Sequence, residues 1–412
     1  MSPSASAHAP VAITGTGVVS PIGNDLASFD TALFAGRSAV CERALDLPGI
    51  DLPAVAVAPS AFDATAVLAP SRVPLDRGTA MALVAADDAA RAAGLAPGRY
   101  DGERLGIFWG SGMAGASTFE MTCRTVYAER RRMRPTSVVT TMPNAPVAEL
   151  ALRFGARGAA IAYACACASS AVAIGEAMRA IRAGWIDVAI AGGSESMLTP
   201  GVLASWQAMR VLAPLPAAGS CRPFATDRAG FALGEAAAAF VLESAAHAAA
   251  RGASATCLLS GYATNCDGVH ITNPDAAGQA RAMRAALVDA GLGAASVGYV
   301  NAHGTATVSG DAAEAESLAD VFGPHGVAVS STKAIHGHLL GAGGAVELLV
   351  AVRALLAETL PPTANTRASD PSFALDLVTG RSRPSAGLAH AMSNSFAFGG
   401  TNAVLIVSRA AA

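Results

Sequence analysis

A thiol set where an apolar run turns into a helix can act as a nucleophile, and AIAYACACASSAVAIGEAMRAIRA, residues Ala160 to Ala183, has that form. Its first half is apolar and uncharged, and small residues then crowd together. Beyond them Ala171, Ile174, Met178 and Ile181 recur at helical spacing, with Glu176, Arg179 and Arg182 on the other side. The pattern predicts a buried strand, a tight turn at Cys167 and a long helix leaving it. A thiol there meets free backbone N–H groups and the positive end of the helix dipole. Both lower a cysteine's pKa and favour thiolate chemistry. A single cysteine is more often a buried structural residue, and Cys165 stands two residues away in an equally apolar setting. The uncharged run from Gly158 to Gly175 is too short for a membrane span, is built from Gly, Ala and Ser, and enters a charged amphipathic helix.

Three further stretches lie in the second half of the chain. VNAHGTATVSGD carries His303 just past an apolar strand, followed by Thr305, Thr307 and Asp311. SSTKAIHGHLLGAGGAVE carries Lys333, His336, His338 and Glu347. SNSFAFGGTNA sets Phe396 and Phe398 beside Gly399 and Gly400. One histidine alone is more often a satisfied structural group. Two at strand or loop ends, a lysine in a small-residue loop and an apolar cysteine turn together suit nucleophilic chemistry. The run ERRRMRP concentrates Arg130, Arg131, Arg132 and Arg134. It reads equally as a solvated helix end or as a docking patch for an acidic partner.

The elements that must carry these residues alternate between short apolar runs and helices, the pattern of an α/β architecture with covered sheets. In the first half, strands are expected at Val11–Val19, Leu105–Gly110, Asp187–Gly193 and Ala236–Leu242. Helices are expected at Asp30–Gly36, Ala80–Ala93, Pro143–Phe154 and Ser244–Arg251. The GTG in the first strand lacks the third glycine of a nucleotide loop. Residues before Ala9 read as loose, Leu47 to Pro70 as turn-rich, and Asp227 with Arg228 as a loop pair. The order then restarts, with helices at Ala280–Ala290, Ala312–Phe322 and Ala345–Ala357. Strands follow suit at Gly298–Ala302, Val327–Ser331, Ala391–Phe396 and Ala403–Val407. A division near Gly252 gives two halves, 1–251 with the thiol and 252–412 with the histidines.

Of the 412 residues 52% are hydrophobic and only 14% charged, so a large core is easily built and surfaces buried between subunits are expected. A net charge of −3 excludes broad attraction to nucleic acid but permits a local basic patch. The seven cysteines lack metal-type spacing and suit a reducing cytoplasm. No basic start followed by an apolar run marks a secreted chain.

Taken together and in order, from VAITGTGVVSPIG to SNSFAFGGTNAVLIV, these stretches resemble the elongating β-ketoacyl-acyl carrier protein synthases, the type II ketosynthases of the thiolase superfamily. The resemblance implies a five-layered αβαβα fold made of two similar halves with mixed sheets. It implies Cys167 rather than Cys165 as nucleophile, because Ala191 to Gly193 follows at the family's distance. His303 and His338 match the paired histidines, and Lys333 and Glu347 their polar supports. Phe398 matches a gate whose backbone N–H joins that of Cys167 in an oxyanion hole. Thr305, Thr307 and Thr272 match residues holding a phosphopantetheine arm, while Met113 and Phe396 match positions around the substrate. The arginine cluster with Arg210 would receive an acidic acyl carrier protein. The implied reaction is decarboxylative condensation of a malonyl thioester with an acyl group on Cys167, without metal or redox cofactor. The implied assembly is a homodimer, or a heterodimer with a chain-length-factor-like homologue.

The chain also departs from the common pattern. His336 replaces a small polar residue, Cys165 stands where Thr is usual, and the segment around Trp206 differs from the housekeeping fatty-acid version. The last feature leans towards synthases of polyenes or aromatic polyketides. A non-catalytic chain-length factor is the rival reading, disfavoured because such subunits lack the cysteine. A biosynthetic thiolase would need a second catalytic cysteine near the C-terminus, whereas the last here is Cys266. An initiating synthase would show a His–Asn pair.

Overall fold

The chain runs through one plan twice. The first pass is β1 (Val11–Val19), α1 (Arg77–Ala92), β2 (Leu105–Gly110), α2 (Ala145–Phe154), β3 (Ala160–Tyr163), α3 (Ser169–Arg182), β4 (Val188–Glu195) and β5 (Ala236–Glu243). The second is β6 (Cys257–Cys266), α4 (Ala276–Ala290), β7 (Tyr299–Asn301), α5 (Val308–Phe322), β8 (Ala328–Ser330), α6 (Gly343–Ala357), β9 (His390–Phe396) and β10 (Thr401–Arg409). The computed structural model describes residues 9–47, 51–69, 73–96 and 98–410. The N-terminal stretch read as loose and the Pro70 end of the turn-rich segment lie outside them.

Strand order shows the duplication that the sequence only suggests. Across the sheet the order is β3-β2-β4-β5-β1-β6-β10-β9-β7-β8, with the short strand Asp376–Leu377 beyond β8. From the centre outward, each half places its first, fifth, fourth, second and third strands in turn. In both, the two inner pairings are antiparallel and the two outer ones parallel. The halves join where Val11–Ile13 of β1 pairs with β6. Helices α3 and α6 are sandwiched between the two half-sheets, with α1 and α2 outside one and α4 and α5 outside the other. The result is five layers, as expected. The segment Leu340–Ala357 is long and apolar enough to cross a membrane, yet 83% of it is buried inside this sandwich.

Three helices start a turn earlier than their apolar periodicity indicates, at Leu26 rather than Asp30, Ala276 rather than Ala280, and Val308 rather than Ala312. Asp25, Asp275 and Thr307 cap these starts, each accepting from a first-turn N–H. Such a cap contributes about 0.5–2 kcal/mol and carries no apolar signal. The turn-rich segment holds a short strand, Val55–Ala58, and a helix, Ala64–Val67. Two other expectations are overturned. Asp227 pairs with Arg222 at 2.9 Å, while Arg228 reaches Asp370 at 3.0 Å across the fold. The strand before Cys167 is not buried: β3 is the sheet's edge, with Ala160 exposed and Ile161 43% exposed. Apolar composition marks a face to be covered, not which chain covers it.

Candidate active site

Between β3 and α3 the chain makes a one-turn 3-10 segment, Ala166–Ala168, that places Cys167 at the head of the central helix. Ala166 takes a left-handed conformation, φ 48°, to turn the corner. The Ser169 hydroxyl braces the turn, accepting from Cys165 N–H at 2.8 Å and donating to the Ala166 carbonyl at 2.7 Å. The helix can approach the sheet only because Gly110 and Gly193 lack side chains. A Cβ on Gly110 would lie 2.2 Å from Ser170 N, and one on Gly193 would lie 2.4 Å from Ser170 Cβ. The AGG of β4 therefore seats the nucleophile's helix.

The loop after β8 brings His338 to the thiol, with Nε2 3.2 Å from Cys167 Sγ. Leu340 N–H donates to His338 Nδ1 at 3.3 Å. An Nδ1 that accepts holds no proton, so in the neutral ring the proton is on Nε2. His303, just past β7, is set the same way. Lys333 Nζ, 3.3 Å from His303 Nδ1, also pairs with Glu347 of α6, and an ammonium can only donate. The two rings lie edge to face, 5.4 Å apart. Both imidazoles therefore present Nε2–H to the space beside Cys167.

Burial dominates the electrostatics. It pushes the Cys167 thiol up to about 12, opposed by the Lys333 charge and by a hydrogen bond from the Phe398 backbone N–H. The lowering expected from the helix terminus does not prevail over desolvation. Burial, then the Lys333 charge, holds His303 and His338 well below the ordinary imidazole value, so both are neutral at neutral pH. Burial raises the Glu347 carboxyl, and the Lys333 charge opposes it.

The sequence leaves Glu314 and Glu195 aside and gives Asp311 no role, and the structure makes all three positioning groups. Buried Glu314 accepts from His303 N–H at 2.8 Å and Gly304 N–H at 2.6 Å, fixing the histidine's backbone. Buried Asp311 accepts from Ala306 N–H at 3.0 Å and Phe224 N–H at 2.6 Å. Both face the loop because they lie three residues apart on α5, a spacing legible only once that helix is seen to start at Val308. Glu195, at the end of β4, accepts from Gly112 and Gly341 N–H and ties the loops of the two halves together.

A cavity of about 260 Å³ opens onto Cys167, His303 and His338, and Thr272, Thr305, Thr307, Phe396 and Phe398 also line it. Thr307 spends its hydroxyl on the α5 cap and on Thr305, 2.9 Å away. Met113 does not line this cavity and is 53% exposed, although its backbone N–H donates to buried Glu195 at 3.3 Å. Arg130, Arg131, Arg132 and Arg134 are all exposed and line no part of the cavity, whereas Arg210 follows Met209 at its mouth. His336 is a satisfied core residue, its Nδ1 donating to the Gly337 carbonyl at 2.7 Å and its Nε2 accepting from Thr332 at 2.9 Å. Cys165 is half-buried and points no contact at the cavity's histidines. The ligand-capable atoms of Cys167, His303 and His338 lie within 4.8 Å of one another. A metal there would need both Nε2 lone pairs free and a proton on each Nδ1, where Leu340 and Lys333 already donate.

The model of the β-ketoacyl synthase N-terminal domain matches residues 8–248, and that of the C-terminal domain matches residues 256–367. The chain belongs to the β-ketoacyl synthase family. Among its relatives, nodulation protein E of Rhizobium leguminosarum bv. trifolii is 39% identical over 402 residues, 96% of this chain and 98% of that protein. The 3-oxoacyl-(acyl-carrier-protein) synthase 2 of Vibrio cholerae serotype O1 is 36% identical over 410 residues, 97% of this chain and 99% of that protein. The ishigamide ketosynthase/chain length factor superposes with a TM-score of 0.90 at 29% identity, covering 98% of this chain and 99% of that one. The β-ketoacyl synthase assignment and the duplicated sheet agree on a thiolase-like type II ketosynthase fold.

Proposed function

We propose that this ketosynthase condenses a malonyl group on acyl carrier protein with an acyl chain held as a thioester on Cys167. The observation that carries the reading is the pair of Nε2–H donors fixed beside the sulfur by Leu340 and Lys333. In the first half-reaction Cys167 Sγ attacks the acyl thioester, and the carrier thiol departs with the proton that Cys167 gives up. The Phe398 N–H, aimed at the sulfur, is placed to serve the oxyanion, together with the N–H of Cys167. Acylation makes Sγ a poorer acceptor, which frees His338 Nε2–H. In the second half-reaction malonyl loses carbon dioxide, and its electron pair spreads onto the thioester oxygen. His303 and His338 donate to that oxygen, and the carbanion attacks the acyl carbonyl to release a 3-ketoacyl carrier and Cys167. The chemistry calls for no metal or redox cofactor.

The unpaired edge of β3, together with Phe119 and Met121, 60% and 62% exposed on the helix Ala116–Cys123, supports a partner subunit, either a second copy or a chain-length-factor-like homologue. Likeness to a type II PKS ketosynthase, 27% identical, supports polyketide synthesis, and likeness to the 3-oxoacyl-(acyl-carrier-protein) synthase 2 of Vibrio cholerae, 36% identical, supports fatty-acid synthesis. Thr272, Thr305 and Thr307 on the cavity wall suit the phosphopantetheine arm, and the exposed arginines suit the carrier. The rival reading, a non-catalytic chain-length factor, leaves Cys167 and the locked histidines without purpose. Intact mass with acyl carriers of varied length, with and without candidate partners, decides. Cys167→Ala loses the acyl adduct and Cys165→Ala keeps it; an adduct mapping to Cys165 overturns the assignment.

A further inference from the structure

The segment around Trp206 differs from the housekeeping pattern and has no role in the steps above. Its indole lines the cavity and stacks on Phe398, with centroids 6.2 Å apart and planes 24° from parallel. Trp206 also meets the edge of Phe231 at 5.8 Å, and Phe231 meets the edge of His338 at 5.0 Å. Phe231 is 2% exposed and its backbone is pinned on both sides, its N–H to Val211 and its carbonyl to Ala213 N–H. The indole therefore rests on a rigid floor. Its helix, Pro200–Ala208, is held at the start by Glu120, which accepts from Gly201 N–H at 3.0 Å and from the Thr199 hydroxyl. Phe398 is only half-buried, so its ring is the freer member, although the glycines after it are held, Gly399 N–H donating to the Ile271 carbonyl at 2.7 Å and Gly400 bonded to Ala397 and Asp267.

We infer that Trp206 is a positioning residue that latches the Phe398 ring closed over Cys167, so that malonyl entry awaits an acyl occupant able to displace the contact. The inference rests on the ketosynthase reading for its consequence but not for its geometry. A stacked aromatic pair shifts an equilibrium by about 2- to 10-fold.

Two measurements on Trp206→Ala and Trp206→Phe test it. N-ethylmaleimide labelling of Cys167, read by peptide mass, needs no substrate. It should quicken about 2- to 10-fold in Trp206→Ala and stay near wild type in Trp206→Phe. The ratio of uncoupled malonyl-carrier decarboxylation to condensation should rise by a similar factor in Trp206→Ala alone. A merely structural role would depress both reactions together and leave the ratio unchanged. Unchanged labelling in Trp206→Ala, or equal changes in both variants, overturns the latch. Faster labelling in a protein that neither acylates nor decarboxylates would keep the latch and sink the ketosynthase reading.

Discussion

At Cys167 burial and two aimed donors pull the thiol in opposite directions. Burial raises it to about 12, so the thiolate fraction, which does the chemistry, grows with pH across the neutral range. Iodoacetamide labelling of Cys167 should rise about tenfold per pH unit between about pH 6 and about pH 9. A plateau near neutrality would mean that the helix terminus and the donors prevail. The histidines carry the opposite sign, since depressed imidazoles stay neutral as pH falls through 6.5, the ordinary value. Malonyl decarboxylation by Cys167→Gln should therefore show no inflection there; a loss centred near that pH would count against both tautomer assignments. Replacing His303 or His338 by Ala should slow decarboxylation about 100- to 1000-fold, with self-acylation surviving better. That Cys167, His303, His338 and Lys333 come together was legible because Cys, His and Lys are rare in this chain and fall at element ends, with the resemblance choosing between Cys165 and Cys167. Their tautomers were not, because these depend on Leu340 N–H and Lys333 arriving from elsewhere. The thiol's pKa was misjudged because the sequence shows a helix start but not the depth at which it is buried.

Elements matter here through how closely they approach. Gly193→Ala would drive a Cβ to 2.4 Å from the Ser170 side chain and 2.6 Å from the Gly110 carbonyl. Overpacking of this kind costs about 1–3 kcal/mol, and the helix bearing Cys167 must shift to relieve it. Thermal unfolding should show the loss, and acylation should fall more than the remaining folded fraction explains. At the sheet edge, Ile161→Lys places a charge on β3 where a partner strand would pair. Sedimentation should show a monomer; an unchanged assembly would place the partner surface elsewhere. Strands such as Val11–Val19 were read to the residue because both faces are apolar and turns bound them. Helix starts were missed by four residues where Asp25, Asp275 and Thr307 cap the first turn, a polar signal that the apolar period does not include.

Over the whole molecule, few charges face outward, so the arginine run dominates its local field. An acidic carrier gains association rate from such a patch, and salt screens it. Charge reversal at Arg131 and Arg132 should raise KM for carrier-bound substrate while leaving acylation by a small pantetheine thioester nearly unchanged. Equal losses with both would make the arginines structural. The duplicated plan has a consequence of its own. Leu340, before α6, bends at φ 48°, the value Ala166 takes before α3, so Gly341 stands in the second repeat where Cys167 stands in the first. A Cβ on Gly341 would lie 2.2 Å from Gly112 N and 2.6 Å from a Glu195 carboxylate oxygen. The second elbow is filled by the first repeat's own backbone and can never be loaded. On the proposed reading a twofold architecture thus delivers a stoichiometry of one, and each chain, however generously supplied with acyl donor, would carry a single passenger.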